Sequence, residues 1–245
     1  LHTVAGGIDA TLRQGELTCL LGENGVGKST LLRTLAGFQK PLSGTVSIDG
    51  RPLGEYSRRE LARTVGVVLT EKPDAGLMTA REVVSLGRSP YTGFWGRLTD
   101  GDREAVDKAM DMVGISSLAH RALATLSDGE RQKVMIAKVL AQQTGIILLD
   151  EPTAFLDYPS KADLLQLLRR VCHESQKAVF MSTHDLELTL QAADTLWLMT
   201  RANGLLTGTP RSMALDGSLA AFVERGNGIS FDPQRLAVTV ETDMA

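Results

Sequence analysis

The eight residues Gly22-Glu23-Asn24-Gly25-Val26-Gly27-Lys28-Ser29 constrain this chain more than any other stretch. They stand between an apolar run, Leu17 to Leu21, and a helix-like one, Ser29 to Ala36. A strand, a glycine-rich loop and a helix in that order are the setting of a phosphate-binding loop. Glycines let the backbone turn until its N–H groups converge, and the positive end of the helix dipole favours an anion at the same point. Lys28 adds a mobile cation for terminal phosphates, Ser29 a hydroxyl able to ligate Mg²⁺, and Thr30 follows in the first turn. A compact hard cation is what neutralises charge on a transferred phosphoryl group. A glycine-rich turn alone is compatible with an ordinary strand-to-helix connection; the complete octet points to a bound nucleotide.

The 245 residues suffice for one large domain or a domain with an appendage. A formal net charge of −3 gives no electrostatic grip on nucleic acid or anionic lipid, so a membrane role would run through a protein partner. Cys19 and Cys172 lie far apart with no CxxC and are expected as buried free thiols in a reducing compartment. No apolar run approaches the ~20 residues of a membrane helix, and Leu1 to Ile8 lacks the regions of a signal peptide. The chain starts at Leu1, and further residues are expected ahead of it.

Residues 1–21 read as one or two strands broken at Arg13-Gln14-Gly15. Thr45 to Ile48 alternates polar and apolar before the turn pair Asp49-Gly50, which predicts antiparallel structure beside the loop. Ser57 with Glu60, and Thr79 with Glu82, have capping-box spacing and should each start a helix, with a buried strand at Val65 to Leu69 between them. Helical periodicity resumes from Asp102 to Val113 and from Ser127 to Gln143. Short apolar runs at Ile146 to Leu149 and Ala178 to Met181 alternate with a helix over Ser160 to Ser175, predicting a mainly parallel sheet covered on both faces. A hairpin is expected over Thr195 to Thr207, then two short helices and a last strand near Leu236 to Val240. The fold expected is α/β: one unit spanning 1–245, with a helical part at about 73–143 and a C-terminal extension at about 209–245.

Ile146-Ile147-Leu148-Leu149-Asp150-Glu151-Pro152-Thr153 is a buried strand whose carboxyl end presents two acids. Ligands of open α/β sheets bind at that end, so both acids should face the phosphates. Asp150 can hold Mg²⁺, and Glu151 can orient the attacking water and accept its proton. At Leu126-Ser127-Asp128-Gly129-Glu130, Ser127 and Glu130 have capping-box spacing, yet a helix start bearing serine and glycine is also an anion site.

That last run, set between the phosphate loop and the acidic strand, resembles the signature loop of ATP-binding cassette proteins, whose usual form is LSGGQ. The resemblance covers nearly the whole chain and makes this a P-loop NTPase core with antiparallel β and α-helical subdomains. It implies ATP and Mg²⁺ as ligands and a head-to-tail homodimer, in which Ser127, Gly129 and Glu130 of one copy close on the nucleotide held by the other. Asp157 then matches the aspartate at the dimer seam, and His184, in Ser182-Thr183-His184-Asp185, the histidine that contacts the γ-phosphate and holds the attacking water with Glu151. Glu71 stands where the family places a glutamine that touches Mg²⁺ and senses the membrane partner; a carboxylate can still ligate the metal. Asp128 and Glu130 replace a glycine and a glutamine, which should weaken closure on ATP unless they act as caps or find basic partners. The family's adenine-stacking aromatic is missing from Leu1 to Leu21 and is expected upstream.

Glu82 to Tyr91, followed by an acid-rich helix, is similar to the ATPases of importers for ferric siderophores, haem and cobalamin. This implies a peripheral subunit on the cytoplasmic face of the cell membrane, working with permease subunits and, indirectly, a substrate-binding protein, with no nucleic acid partner. Tyr91, Phe94 and Trp95 would suit permease contact, or else pin a long loop. The alternative is a soluble cassette ATPase acting on DNA or ribosomes, disfavoured by the absence of a long coiled coil, by the single cassette and by the acidic balance. A GTPase would carry an Asn-Lys-x-Asp guanine reader, which is absent, and a binding-only module would follow if the altered signature disabled hydrolysis.

Overall fold

The computed structural model describes residues 6–70, 76–93, 95–224 and 228–240. Strand β1 (Leu17–Gly22) is buried at every residue, so it needs cover on both faces. It leads through the glycine loop into α1 (Lys28–Leu35). A short hairpin of β2 (Ser47–Ile48) and β3 (Arg51–Pro52) follows, turning through Asp49 and Gly50 as the sequence predicts. Next come α2 (Arg58–Thr64), β4 (Val65–Val68) and the helices α3 (Ala80–Ser85), α4 (Asp100–Met112) and α5 (Asp128–Ala141). The chain returns as β5 (Ile146–Asp150), α6 (Tyr158–Ser175), β6 (Ala178–Ser182), α7 (Leu186–Ala192), β7 (Thr195–Thr200) and β8 (Gly204–Gly208). It closes with α8 (Pro210–Leu215), α9 (Ser218–Val223) and the hairpin β9 (Ile229–Asp232) and β10 (Ala237–Val240).

The main sheet has the order β4-β5-β6-β1-β7-β8, parallel except for the antiparallel edge pair β7 and β8. Its registers set Asp150 opposite Ser182 and Gly22 opposite Met199, so the carboxyl ends of β5, β6, β1 and β7 emerge along one edge. One face packs Leu20, Leu148, Phe180, Trp197 and Met199 against Leu32 of α1 and Ala36 at its end. The other packs Cys19, Leu149 and Met181 into the apolar stripes of α5 and α6, a core continuous with α3 and α4. Both cysteines are free and buried; burial pushes the Cys172 thiol up to about 12 and Cys19 further.

Capping boxes at Ser57 with Glu60, Thr79 with Glu82, and Ser127 with Glu130 start α2, α3 and α5. A fourth, Thr99 with Asp102, starts α4 two residues before the expected Asp102. Residues 6–16 contain no strand, against expectation; β2 and β3 pair only with each other among the described residues, which leaves that stretch no ladder to join. Strand β9 is not predicted, because Ile229-Ser230-Phe231-Asp232 alternates for only four residues, too short a run to stand out from loop until β10 pairs with it.

The stretch around Arg88 favours the second of the two roles open for Tyr91. Arg88 is buried, and its guanidinium donates to Asp102 Oδ1 at 2.8 Å, to the Ala141 carbonyl at 2.7 Å and to Gln143 Oε1 at 2.9 Å. Tyr91 lies under it at 4.0 Å and donates its hydroxyl to the Gln142 carbonyl at 2.9 Å. This network holds the start of α4 against the end of α5, so Tyr91 pins the loop from within. Trp95 is exposed, and Phe94 lies outside the described residues.

Candidate nucleotide site

Gly22 ends β1 so close to β7 that a Cβ there would sit 2.5 Å from the Met199 carbonyl, which makes the side-chain-free residue a steric requirement. The chain then turns through Asn24 and Gly25, both exposed, over Val26, which is buried beneath the loop. Gly27 opens α1 with φ at 109°, a left-handed conformation suited to glycine, and no side chain caps the helix start. Its first-turn N–H groups therefore keep their capacity for a ligand. Lys28 is buried, and its Nζ donates to the carbonyls of Gly22 at 2.9 Å and Glu23 at 3.2 Å, drawing the ammonium over the loop. Burial lowers the Lys28 pKa, while the carboxylates of Glu151 and Asp150 pull it the other way. Thr30 is exposed one position beyond Ser29, with its carbonyl occupied by Thr34 and Gln39.

The acids at the end of β5 meet this loop. Ser29 Oγ donates to Asp150 Oδ1 at 3.2 Å, and Ser182 Oγ, from the neighbouring strand, donates to the same oxygen at 2.7 Å. Ser182 Oγ also accepts the Glu151 N–H at 2.9 Å, and Thr70 holds the Asp150 carbonyl at 2.8 Å. Glu151 adopts φ of 49°, an unfavourable conformation for a side-chain-bearing residue that costs roughly 1–3 kcal/mol and concentrates at functional sites. Its carboxylate Oε1 lies 2.7 Å from His184 Nε2. The residue after the histidine fixes this arrangement: Asp185 accepts Thr153 Oγ1 at 2.7 Å and Lys161 Nζ at 2.8 Å. Ser182, Asp185, Thr153 and Lys161 were not singled out in the sequence; their signal was only proximity in register, Asp150 against Ser182, visible once β5 and β6 pair.

The structure thus brings Gly22 to Ser29, Asp150, Glu151 and His184 to one edge of the sheet. It does not bring Ser127, Gly129 and Glu130 there; these line a separate depression with Leu156 and Ser160 of the α6 region. Ser127 caps α5: its Oγ accepts the Glu130 N–H at 3.2 Å while Glu130 Oε2 accepts the Ser127 N–H at 2.9 Å. The two unusual acids both have basic partners, Glu130 with Arg121 at 3.6 Å and Asp128 with Arg131 at 3.3 Å. Asp157 caps α6, accepting the Ser160 N–H at 3.0 Å. Glu71 lies outside the described residues.

A P-loop sheet with this order, an acid pair at the end of the strand two places from the loop, and a capped serine-glycine helix start define an ATP-binding cassette. The family model described as ABC transporter matches residues 5–154, and the chain belongs to that family. It is 37% identical over 228 residues to the ferric enterobactin transport ATP-binding protein FepC of Escherichia coli, a match covering 93% of this chain and 83% of that protein. Among solved structures it superposes on an inward-facing ABC transporter described as metal-chelate type, with TM-score 0.74, 28% identity and coverage of 85% of this chain and 78% of the other. The dimeric ABC transporter cassette MJ0796 gives TM-score 0.72 and 26% identity, covering 84% and 90%. As a member of the family the chain binds and hydrolyses ATP to drive transport. Among the described residues no helix is long and apolar enough to cross a membrane.

Proposed function

We propose that this chain is the energy-coupling ATPase of an importer for an iron chelate, haem or cobalamin. The reading has it acting as a head-to-tail homodimer on the cytoplasmic face of the cell membrane, with permease subunits and a substrate-binding protein outside them. The observation that carries the chemistry is the 2.7 Å contact between Glu151 and His184 beside the 3.2 Å contact between Ser29 and Asp150. The cargo class rests on the similarity to FepC and to the metal-chelate type transporter, each of which names a chelate system. The helical stretch 73–143 and the extension 209–245 are read as parts of one nucleotide-binding domain.

Lys28 exchanges the Gly22 and Glu23 carbonyls for the terminal phosphates of ATP, while the uncapped start of α1 receives phosphate oxygens. Ser29 and Asp150 form an all-oxygen donor pair that suits Mg²⁺, with Glu71 a further carboxylate for it, and the bound cation supplies charge neutralisation on the transferred phosphoryl group. Glu151 takes a proton from the attacking water; His184, hydrogen-bonded to it, fixes that carboxylate and faces the γ-phosphate. Ser127, Gly129, Glu130 and Asp157 act on the nucleotide of the other copy. Replacing Glu151 with glutamine tests this: steady-state turnover should fall by on the order of 10² or more while ATP binding persists and dimer accumulates. Undiminished turnover removes Glu151 as the base. Co-purification of the permease from native membranes, followed by uptake assays with ferric siderophore, haem and cobalamin, tests the cargo.

A further inference from the structure

Strand β7 lies beside β1 on the side away from β5 and β6, and its carboxyl end runs level with the phosphate loop, Met199 standing opposite Gly22. The chain leaves β7 through Thr200 into Arg201, whose guanidinium bends back over the loop. One terminal nitrogen lies 3.8 Å from the position a Cβ on Gly25 would take, and Nε lies 3.9 Å from the Glu23 carboxylate. At 3.9 Å the Glu23 contact is an ion pair without a hydrogen bond, and the side chain is 73% exposed. A guanidinium carries five N–H donors in a planar fork, and no hydrogen bond among the described residues uses any of Arg201's. A cation with unspent donors thus overhangs a loop built for polyphosphate, beside the one acid within that loop.

We infer that Arg201 is a nucleotide-binding residue of this cassette, donating to the inner phosphates of the ATP held at Gly22 to Ser29. The assignment of the inner end follows from the strand order and rests on reading that loop as the ATP site. The groups placed at the terminal phosphate, Asp150, Glu151 and His184, come from β5 and β6 and its following loop, on one flank of β1. Arg201 comes from the other flank. A triphosphate anchored by its terminal group on the first side carries its inner phosphates toward the second. The sequence gives no hint of this, because Arg201 is 176 positions from Gly25 and stands in the short turn Arg201-Ala202-Asn203 of a hairpin.

The test is calorimetric titration of ATP and of ADP, each with Mg²⁺, into the full chain and its Arg201→Ala variant. Both affinities should fall by the same factor, about five- to tenfold, as expected for one charge-assisted hydrogen bond. An unchanged affinity for both nucleotides overturns the inference, and a loss confined to ATP overturns the placement at the inner phosphates. The same pair of measurements in a Glu23→Ala background closes a double-mutant cycle. If the loss from Arg201→Ala disappears there, Arg201 merely neutralises Glu23 and the inference falls; if it remains, the contact is with nucleotide. Lys28→Ala, measured alongside, keeps the two readings apart: ATP affinity indifferent to Lys28 breaks the reading of the loop itself rather than that of Arg201.

Discussion

The starts of α1 and α5 are both built to face an anion, and they are finished in opposite ways. At α1 the residue before the helix is Gly27, which offers no side chain to the free N–H groups, and the nearby lysine is spent on two backbone carbonyls. At α5 the serine and the glutamate satisfy each other's backbone, and two acids in the first turn complement the helix dipole. α2, α3 and α4 carry the same reciprocal box, α6 and α8 a one-way side-chain cap, and α7 and α9, like α1, no side-chain cap. The start of α1, set at the glycine loop, keeps its donors open to a ligand, whereas the start of α5 is already bonded and has to rearrange or extend its bonding to receive one. That difference fits a site in which the phosphate loop holds ATP first and the signature of a second copy joins later. The two unusual acids at the start of α5 are each tied to an arginine, so neither presents a bare charge.

The sharpest way to break the contrast is Lys28→Ala. If the α1 side is the preformed half, ATP affinity measured by calorimetry should fall by about a hundredfold, the loss of a charged donor at a buried site; a change under threefold would put α1 on the same footing as α5. The Glu151→Gln variant then isolates the second half, because it holds ATP without turnover and lets dimer formation be read by sedimentation. Ser127→Ala removes the cap of α5 and should cost about 1 kcal/mol of stability, a drop of roughly 2–4 °C in Tm for a chain of this size. An unaltered Tm would mean the box contributes nothing to stability.

The smallest effect is expected for Glu130→Gln in the Glu151→Gln background, which keeps a cap acceptor but removes the charge. ATP-dependent dimerisation should tighten by about two- to threefold, the scale of an exposed charge, and weaker dimerisation would show that Glu130 helps rather than hinders. Its hydrogen bond to the Ser127 N–H holds the Glu130 carboxyl below its ordinary pKa. The folded state therefore binds its proton less readily than the unfolded one, so the stability it contributes is present above the ordinary value and lost as pH falls through the lowered one. Thermal melts across that acid range should show this loss in the parent and lack it in Glu130→Gln.

Much of this was legible along the chain because the signals are local. Capping boxes at Ser57, Thr79 and Ser127 depend on residues three apart, and each starts a helix where expected. The buried runs at Ile146 and Ala178 are strands for the same reason: a continuous apolar stretch has no face to expose. Where the reading missed, long-range partners decided. Arg88 carries no signal along the chain, yet Asp102, Ala141 and Gln143 take its guanidinium inside, and Tyr91, open between partner contact and pinning its loop, donates to the Gln142 carbonyl. Ser182 reads as a strand-end serine, but the pairing of β5 with β6 makes it the donor that holds Asp150 and the acceptor for Glu151.

The sequence by itself determined that a glycine loop would stand between a buried strand and a helix and that two acids would stand at the end of another strand. Those facts follow from short-range geometry, since a loop, a cap or a strand end is specified within a few residues. Only the tertiary structure decided that β6 and β7 flank β1, and with that order that Ser182 ties Asp150 to Glu151 on one flank while Arg201 lies over Gly25 from the other. Strand order depends on contacts between residues more than a hundred positions apart, and no periodicity along the chain records it.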